Sequence, residues 1–151
     1  MPVERIVFQS KPFYKMIEAF AKSMPNESVV WLSGTVKDGI GVVKKCWQGE
    51  LEYSSPTSAE TKASWLFKFV ENLMTYHPDQ NLVILAHRHP IGSNLSQTDV
   101  GALKALADWN ADMYWLMIAC DIQLACYEPN QISSVAWEVG KNRKKKADSW
   151  R

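Results

Sequence analysis

The stretch that decides the fold is 82–99, Leu-Val-Ile-Leu-Ala-His-Arg-His-Pro-Ile-Gly-Ser-Asn-Leu-Ser-Gln-Thr-Asp. It opens with an unbroken apolar run over 82–86, which is typical of a strand buried on both faces of a sheet. Pro90 then changes the direction of the chain, and a polar run leads to Ser96, where apolar residues begin to recur at helical spacing. A buried strand, a polar loop and a helix in succession indicate a domain of mixed helices and strands.

Helix and strand patterns alternate on both sides of this stretch. The sequence predicts, in chain order, a helix over 11–24, a hairpin over 28–47 that turns at Asp38-Gly39, a loop over 48–58, a helix over 59–76, and closing strands over 114–119, 122–127 and 133–138. The predicted fold is therefore a single α/β (α+β) domain. Its central sheet is mixed and mostly antiparallel, and about three helices flank it.

The composition is that of one globular domain with a basic end. The chain has 151 residues, of which 46% are hydrophobic and 22% charged, so it can form one core and is not disordered throughout. The net charge of +1 combines −4 over residues 1–140 with +5 over 141–151. We predict a folded domain over 1–140 and a flexible tail over 141–151. The cations of 141–146 could contact nucleic acid phosphates, but a solvated tail is the favoured interpretation.

Cysteine usage and the lengths of the apolar runs favour a cytoplasmic protein. Cys46, Cys120 and Cys126 are few, odd in number and not spaced as a CxxC motif, which disfavours a disulfide framework and a structural zinc site. No apolar run approaches about 18 residues, so we expect no contact with membranes. Residues 1–10 lack the layout of a signal peptide.

Two histidines and an aspartate in the deciding stretch have the composition of a catalytic metal site. His87 and His89 are two residues apart at the end of a strand, so an extended backbone directs both imidazoles to one side. Asp99 falls in the first turn of the next helix and can complete a set of two histidines and one carboxylate. Three protein ligands with an open position are typical of catalytic zinc, whereas structural sites have four ligands.

Glu27, which leads into the first strand of the hairpin, is the candidate general base for a metal-bound water. Each candidate residue also has a purely structural interpretation. Ser96 and Asp99 match a helix N-cap and its acidic third position. The histidines could line a solvated strand end, and Glu27 could be a solvent-facing charge. These interpretations explain the residues one at a time, but not the histidine pair at the end of a buried strand with an aspartate ten residues further on.

Two motifs in the chain resemble those of a known family, and the order of the predicted elements is similar over about residues 3–139. The segment 27–34, Glu-Ser-Val-Val-Trp-Leu-Ser-Gly, resembles the upstream element of the MPN (Mov34/JAB) metallopeptidases. The JAMM motif of that family is similar to the pattern His87-x-His89-Pro90 followed by Ser96-x-x-Asp99. One departure is the spacer of five residues between Pro90 and Ser96, one fewer than the family pattern, which can shift Ser96 and Asp99.

The resemblance implies a zinc-dependent peptidase or isopeptidase with one Zn²⁺ per chain. His87, His89 and Asp99 would bind the metal, with water in the fourth position. Glu27 would take the proton of that water and pass it to the leaving amine. Ser96 would hydrogen-bond the developing oxyanion or steady the site, in addition to capping its helix. Because all five positions are filled, the catalytic branch of the family is favoured over its non-catalytic branch.

The compact chain resembles prokaryotic or viral members of the family, and the implied substrates are ubiquitin-like or sulfur-carrier proteins. An extended tail of such a protein could add to a strand edge, with the loop over 48–58 covering it. Two alternatives remain open: a non-catalytic MPN scaffold or binding module, and a JAMM peptidase that acts on sulfur-carrier or phage-type substrates. The residues that bind substrate and the oligomeric state are not predicted.

Overall fold

A computed structural model describes residues 3–24, 26, 28–54, 59–88, 97–120, 124–127 and 134–140. Nine strands and three helices lie within these ranges. In chain order they are β1 (Arg5–Phe8), α1 (Ser10–Lys22), β2 (Ser28–Lys37), β3 (Ile40–Trp47), β4 (Leu51–Ser54), β5 (Ala59–Thr61), α2 (Ala63–Tyr76), β6 (Leu82–Arg88), α3 (Gln97–Trp109), β7 (Tyr114–Cys120), β8 (Leu124–Tyr127) and β9 (Ser134–Val139).

Seven of these strands form one sheet that closes on itself in the order β1-β3-β2-β6-β7-β8-β9. The sheet closes because β1 pairs in parallel with both β3 and β9. β6 and β7 are also parallel, and the other four ladders of this sheet are antiparallel. The prediction of a mixed α/β (α+β) fold with three helices is confirmed within the described ranges. The division into a domain over 1–140 and a tail over 141–151 stays a prediction, since the tail lies outside them.

The hairpin over 28–47 is confirmed, including its turn. Asp38 and Gly39 both have positive φ, 54° and 79°, as the first and second residues of a tight hairpin turn require. The glycine that closes the segment 27–34 does not end the first strand, because β2 continues to Lys37. Gly34 instead lies at an irregularity of the β2–β3 ladder, where a Cβ would stand 1.8 Å from the carbonyl oxygen of Val42.

The prediction of a loop over 48–58 and a helix from 59 is wrong in part. β4 and β5 form a separate antiparallel pair, and the helix begins only at Ala63. The pair is bonded to β2, since the Trp31 indole nitrogen donates a hydrogen bond of 2.9 Å to the Thr61 hydroxyl of β5. β1 is likewise absent from the sequence-based prediction, because a four-residue strand carries little periodic signal.

Alternate residues of the sheet contact two different sets of helices. The α1 face packs Val30, Leu32, Ile84, Leu116 and Ile118 against Met16 and Phe20 of α1. The α2/α3 face packs Trp31, Val83, Trp115 and Met117 against Phe69 and Leu73 of α2 and Leu103 of α3. Each fully buried large apolar side chain stabilises the fold by about 1.5–3 kcal/mol relative to an exposed one.

Among the described residues, no helix has the length and apolar character needed to cross a membrane.

Candidate active site

The ladder between β2 and β6 brings the two candidate motifs to the same end of the sheet. Its register runs from Gly34 opposite Leu82 to Val29 opposite His87 and Ser28 opposite Arg88. In the sequence, Ser28 follows Glu27 and Arg88 precedes His89. Glu27 and His89 themselves lie outside the described residues. The described ladder ends at Ser28 and Arg88, their neighbours in the chain.

His87 is the candidate ligand whose side chain the structure describes. It is 4% exposed and lies one residue before the end of β6. Strand alternation places it on the α2/α3 face, with Val83 and Leu85, which belong to or pack against the cluster on that face. Its partner in β7 is Ala119, which is fully buried. The alternative that His87 lines a solvated strand end is therefore wrong.

The helix predicted from Ser96 is confirmed as α3, which begins at Gln97 and has Asp99 in its first turn. Leu103, one turn after Asp99, packs in the cluster of the α2/α3 face. The helix that carries Asp99 thus covers the sheet face that carries His87. The structure describes Asp99 by its backbone and not by its side chain, and Ser96 lies outside the described residues.

Among the side chains that the structure describes, no three or more His, Cys, Asp and Glu residues are grouped so that they could hold a metal ion. Of the predicted ligand set, however, only His87 has a described side chain. The assignments of Glu27 and Ser96 as catalytic residues, and of His87, His89 and Asp99 as ligands, therefore stay predictions.

The connection between α1 and β2, which contains Glu27, is tied at several points. The Ser23 hydroxyl donates to the carbonyl of Phe20 at 3.1 Å, and the Asn26 amide donates to the carbonyl of Ser23 at 2.8 Å. Ser28 is 5% exposed, and its hydroxyl lies 3.5 Å from the carbonyl of Ala19. Sequence reasoning missed these serines. The only signal is their position at a helix end and a strand start, where such hydroxyls often bond the backbone.

The β4–β5 pair is anchored to the same face as His87. Trp31, whose indole bonds Thr61, lies two residues along β2 from Val29, the partner of His87. Next to the pair, the backbone amide of Lys62 donates a hydrogen bond of 2.8 Å to the carbonyl of Glu50. Gly49 lies close to the ring of Trp65. The described part of the segment predicted to cover a substrate groove thus contains β4, which pairs with β5 beside the β2–β6 ladder.

The thiol of Cys46 is not a candidate nucleophile. It is a free cysteine that packs against the cluster of the α1 face. Burial raises its pKa from 9.0 to about 11, and the positive charge of Lys15 offsets only part of that rise. A reactive cysteine needs a lowered pKa, so the thiol stays protonated and unreactive at neutral pH.

Comparisons with known proteins bear on the fold. No protein-family model and no curated protein matches this chain. Among solved structures, the chain is similar to the solution structure of protein DSY2949 from Desulfitobacterium hafniense, with a TM-score of 0.62 that covers 89% of this chain and 92% of that one. The two sequences are 16% identical, so the likeness is one of fold alone.

Proposed function

We propose that this protein is a zinc-dependent peptidase or isopeptidase of the JAMM type. The observation that carries the proposal is the register of β2 and β6. It pairs Ser28 with Arg88, and thereby brings the chain positions next to Glu27 and His89 together at one end of the sheet. The two motifs are far apart in sequence, and an unrelated strand pairing would not align them.

The alternation of the two strands supports a common site. Val29 and His87 are partners on the α2/α3 face, and side chains two residues apart in a strand share a face. If β2 and β6 continue by one residue, Glu27 and His89 join His87 on that face. α3 covers the same face and carries Asp99 in its first turn. All the proposed metal and proton-transfer groups then belong to one side of the sheet.

The residues present fit a zinc ion. His87 is a buried imidazole at a strand end, and neutral imidazole is a common zinc ligand. We propose that His87, His89 and Asp99 hold the ion. When bound, Zn²⁺ would polarise the scissile carbonyl and lower the pKa of a coordinated water to about 7. Glu27 would accept the proton of the attacking water and deliver it to the leaving amine, and Ser96 would donate a hydrogen bond to the carbonyl oxygen.

The proposed substrates are ubiquitin-like or sulfur-carrier proteins cleaved at their C-terminal peptide or isopeptide bond. The β4–β5 pair supports this class, since it is a strand pair fixed to the site face by Trp31 and Thr61. Such a pair can bind an extended tail by backbone hydrogen bonds. The protein is proposed to act in the cytoplasm, in keeping with its few cysteines and the free thiol of Cys46. A non-catalytic MPN scaffold is the alternative.

The test combines metal analysis with a cleavage panel. The purified chain is expected to contain about one zinc per molecule and to cleave isopeptide-linked conjugates or C-terminal extensions of ubiquitin-like proteins, in a reaction that a chelator stops. Glu27→Gln should keep the zinc and lower kcat by about 10²–10⁴-fold. Asp99→Asn should lose both zinc and activity. Glu71→Gln, an exposed carboxylate on α2, is the matched control and should change neither.

Full hydrolysis by Glu27→Gln, or hydrolysis that survives complete removal of metal, would contradict the proposed mechanism. Absence of both zinc and cleavage, together with partner binding that persists in a His87→Gln/His89→Gln variant, would favour the scaffold alternative. Circular dichroism melting of each variant separates loss of a ligand from loss of the fold.

A further inference from the structure

The exposed side of α1 combines lysines with an aromatic ring. α1 buries Pro12, Met16, Ala19 and Phe20 against the sheet. On its outer side Lys11, Tyr14 and Lys15 are exposed, and they follow the three- and four-residue spacing that makes neighbours on a helix surface. Tyr14 is 64% exposed, which is unusual for a large ring that serves only the core.

The aromatic character of this surface continues from α1 onto β9. The ring of Tyr14 lies 5.5 Å from that of Phe13, and Phe13 stacks on Trp137 at 5.9 Å with an angle of 22° between the planes. Trp137 remains 37% exposed. Lys11, Tyr14, Lys15 and Trp137 together are called the basic aromatic surface below. It offers two accessible rings held in place by a third.

The surface has an excess of positive charge. Lys11 and Lys15 form no ion pair with any residue that the structure describes, whereas the nearby carboxylate of Glu18 is paired with Lys22 at 3.6 Å. The other ion pair of this region, between Arg5 and Glu138, lies on the opposite face of β1 and β9, because Ile6 and Val135 face the α1 side. No unpaired carboxylate of α1 therefore offsets the two lysines.

The basic end of the sequence begins beside this surface. The amide of Gly140 donates a hydrogen bond of 2.7 Å to the carbonyl of Phe8, which precedes α1 by two residues. Residues 141–151, which follow Gly140, carry a net charge of +5. Gly140, the residue that precedes this basic segment in the chain, is thus bonded two residues before the start of α1.

We propose that the basic aromatic surface binds single-stranded nucleic acid, independently of the proposed peptidase activity. Exposed rings stack on bases of any sequence, and lysines along the same surface contact the phosphates between them. A membrane-binding helix would instead present a broad apolar side to the lipid, and α1 uses its apolar side to cover the sheet. The combination of exposed rings and lysines is the one that single strands recognise.

The test is titration of a fluorescein-labelled oligonucleotide of about 15 thymidines, a length suited to such surfaces, at several salt concentrations. Tyr14→Ala should weaken binding by about fivefold or more, because one stacked base is lost. Lys11→Gln/Lys15→Gln should reduce the slope of log K against log salt by about 1.4, because two phosphate contacts are lost. Truncation after Gly140 should reduce the slope further.

Matched controls come from the opposite face of the protein. Tyr76→Ala removes a ring that is 73% exposed at the end of α2, and Lys68→Gln/Lys104→Gln removes two exposed lysines of α2 and α3. These variants should bind the oligonucleotide like the parent chain. Three results would each overturn the proposal. They are no binding of the oligonucleotide at low salt, equal losses of affinity in the control and test variants, and binding to anionic phosphatidylserine vesicles without binding to the oligonucleotide.

Discussion

The two faces of the sheet are held in different ways. On the α1 face, the buried side chains of the sheet are almost all apolar, and α1 covers them with Met16, Ala19 and Phe20. On the α2/α3 face the cluster is rich in indole rings, and each of three indoles donates a hydrogen bond: Trp31 to Thr61, Trp47 to Ser33, and Trp115 to the carbonyl of Asn110. The α1 face is thus stabilised mainly by buried apolar area, with one long bond of 3.5 Å from Ser28 to the carbonyl of Ala19, whereas the α2/α3 face combines buried area with three indole hydrogen bonds.

The difference matters because the candidate active site is on the second face. Apolar contacts are not directional, so they close the sheet without fixing the position of any one group. Hydrogen bonds fix distance and angle, and on the α2/α3 face they connect β2 with Thr61 and Gln80 and connect β7 with Asn110. A site that must hold several ligands in place is therefore expected on the face with the directed bonds.

The largest effect is expected from breaking the ladder that both faces share. In Gly34→Ala the new Cβ would lie 1.8 Å from the carbonyl oxygen of Val42, and two backbones would have to separate. We expect a loss of about 3 kcal/mol or more in the free energy of unfolding, measured by urea denaturation. Gly101→Ala, at an exposed position of α3, is the matched control. Its Cβ meets no described atom within 4 Å, so a gain of about 0.5–1 kcal/mol is expected.

An intermediate effect is expected from a change confined to the α2/α3 face. The hydroxyl of Ser33, fully buried, donates to the side-chain oxygen of Gln80 at 2.5 Å and accepts from the indole of Trp47 at 2.8 Å. Ser33→Ala leaves both groups without this partner and should lower the free energy of unfolding by about 1–3 kcal/mol. Thr35→Val removes an exposed bond to the carbonyl of Asp79 and should cost less than about 0.5 kcal/mol. Equal losses of unfolding free energy in Ser33→Ala and Thr35→Val would contradict the stabilising role assigned to the buried hydrogen bonds of the α2/α3 face.

The smallest effect is expected on the α1 side and depends on pH. Because burial raises the pKa of Cys46 from 9.0 to about 11, the folded protein binds more protons than the unfolded chain between these values. The corresponding stability is fully present below pH 9 and is lost as pH rises towards about 11. The difference in unfolding free energy between the parent and Cys46→Ala should shrink over this range.

Lys15→Gln is the companion variant for this measurement. The positive charge of Lys15 lowers the pKa of the Cys46 thiol, so its removal should move the pH-dependent range upward. A parent–Cys46→Ala difference that stays constant from pH 8 to pH 11 would contradict the raised pKa of about 11.

Part of the candidate site follows from local sequence and part does not. The strand over 82–86, the helix after Ser96 and the position of Asp99 in its first turn could all be predicted, because apolar periodicity and a helix start are local signals. The burial of His87 and its position on the face covered by α3 could not be predicted from the sequence. Both depend on the orientation of β6 in the sheet and on the helix that packs against it. The serines that tie the segment before β2 were missed for the same reason.

The sequence by itself determined the class of the fold, the presence of three helices and the hairpin with its Asp38-Gly39 turn, and it predicts the residues of the candidate site. Only the tertiary structure decided the closure of the sheet through β1 and β9, the continuation of β2 past Gly34 and the pairing of β4 with β5. The physical reason is the separation along the sequence over which each structural signal acts. Periodicity and turn chemistry act over a few residues, whereas a strand pairing depends on a partner that can lie far along the chain, as β9 does from β1.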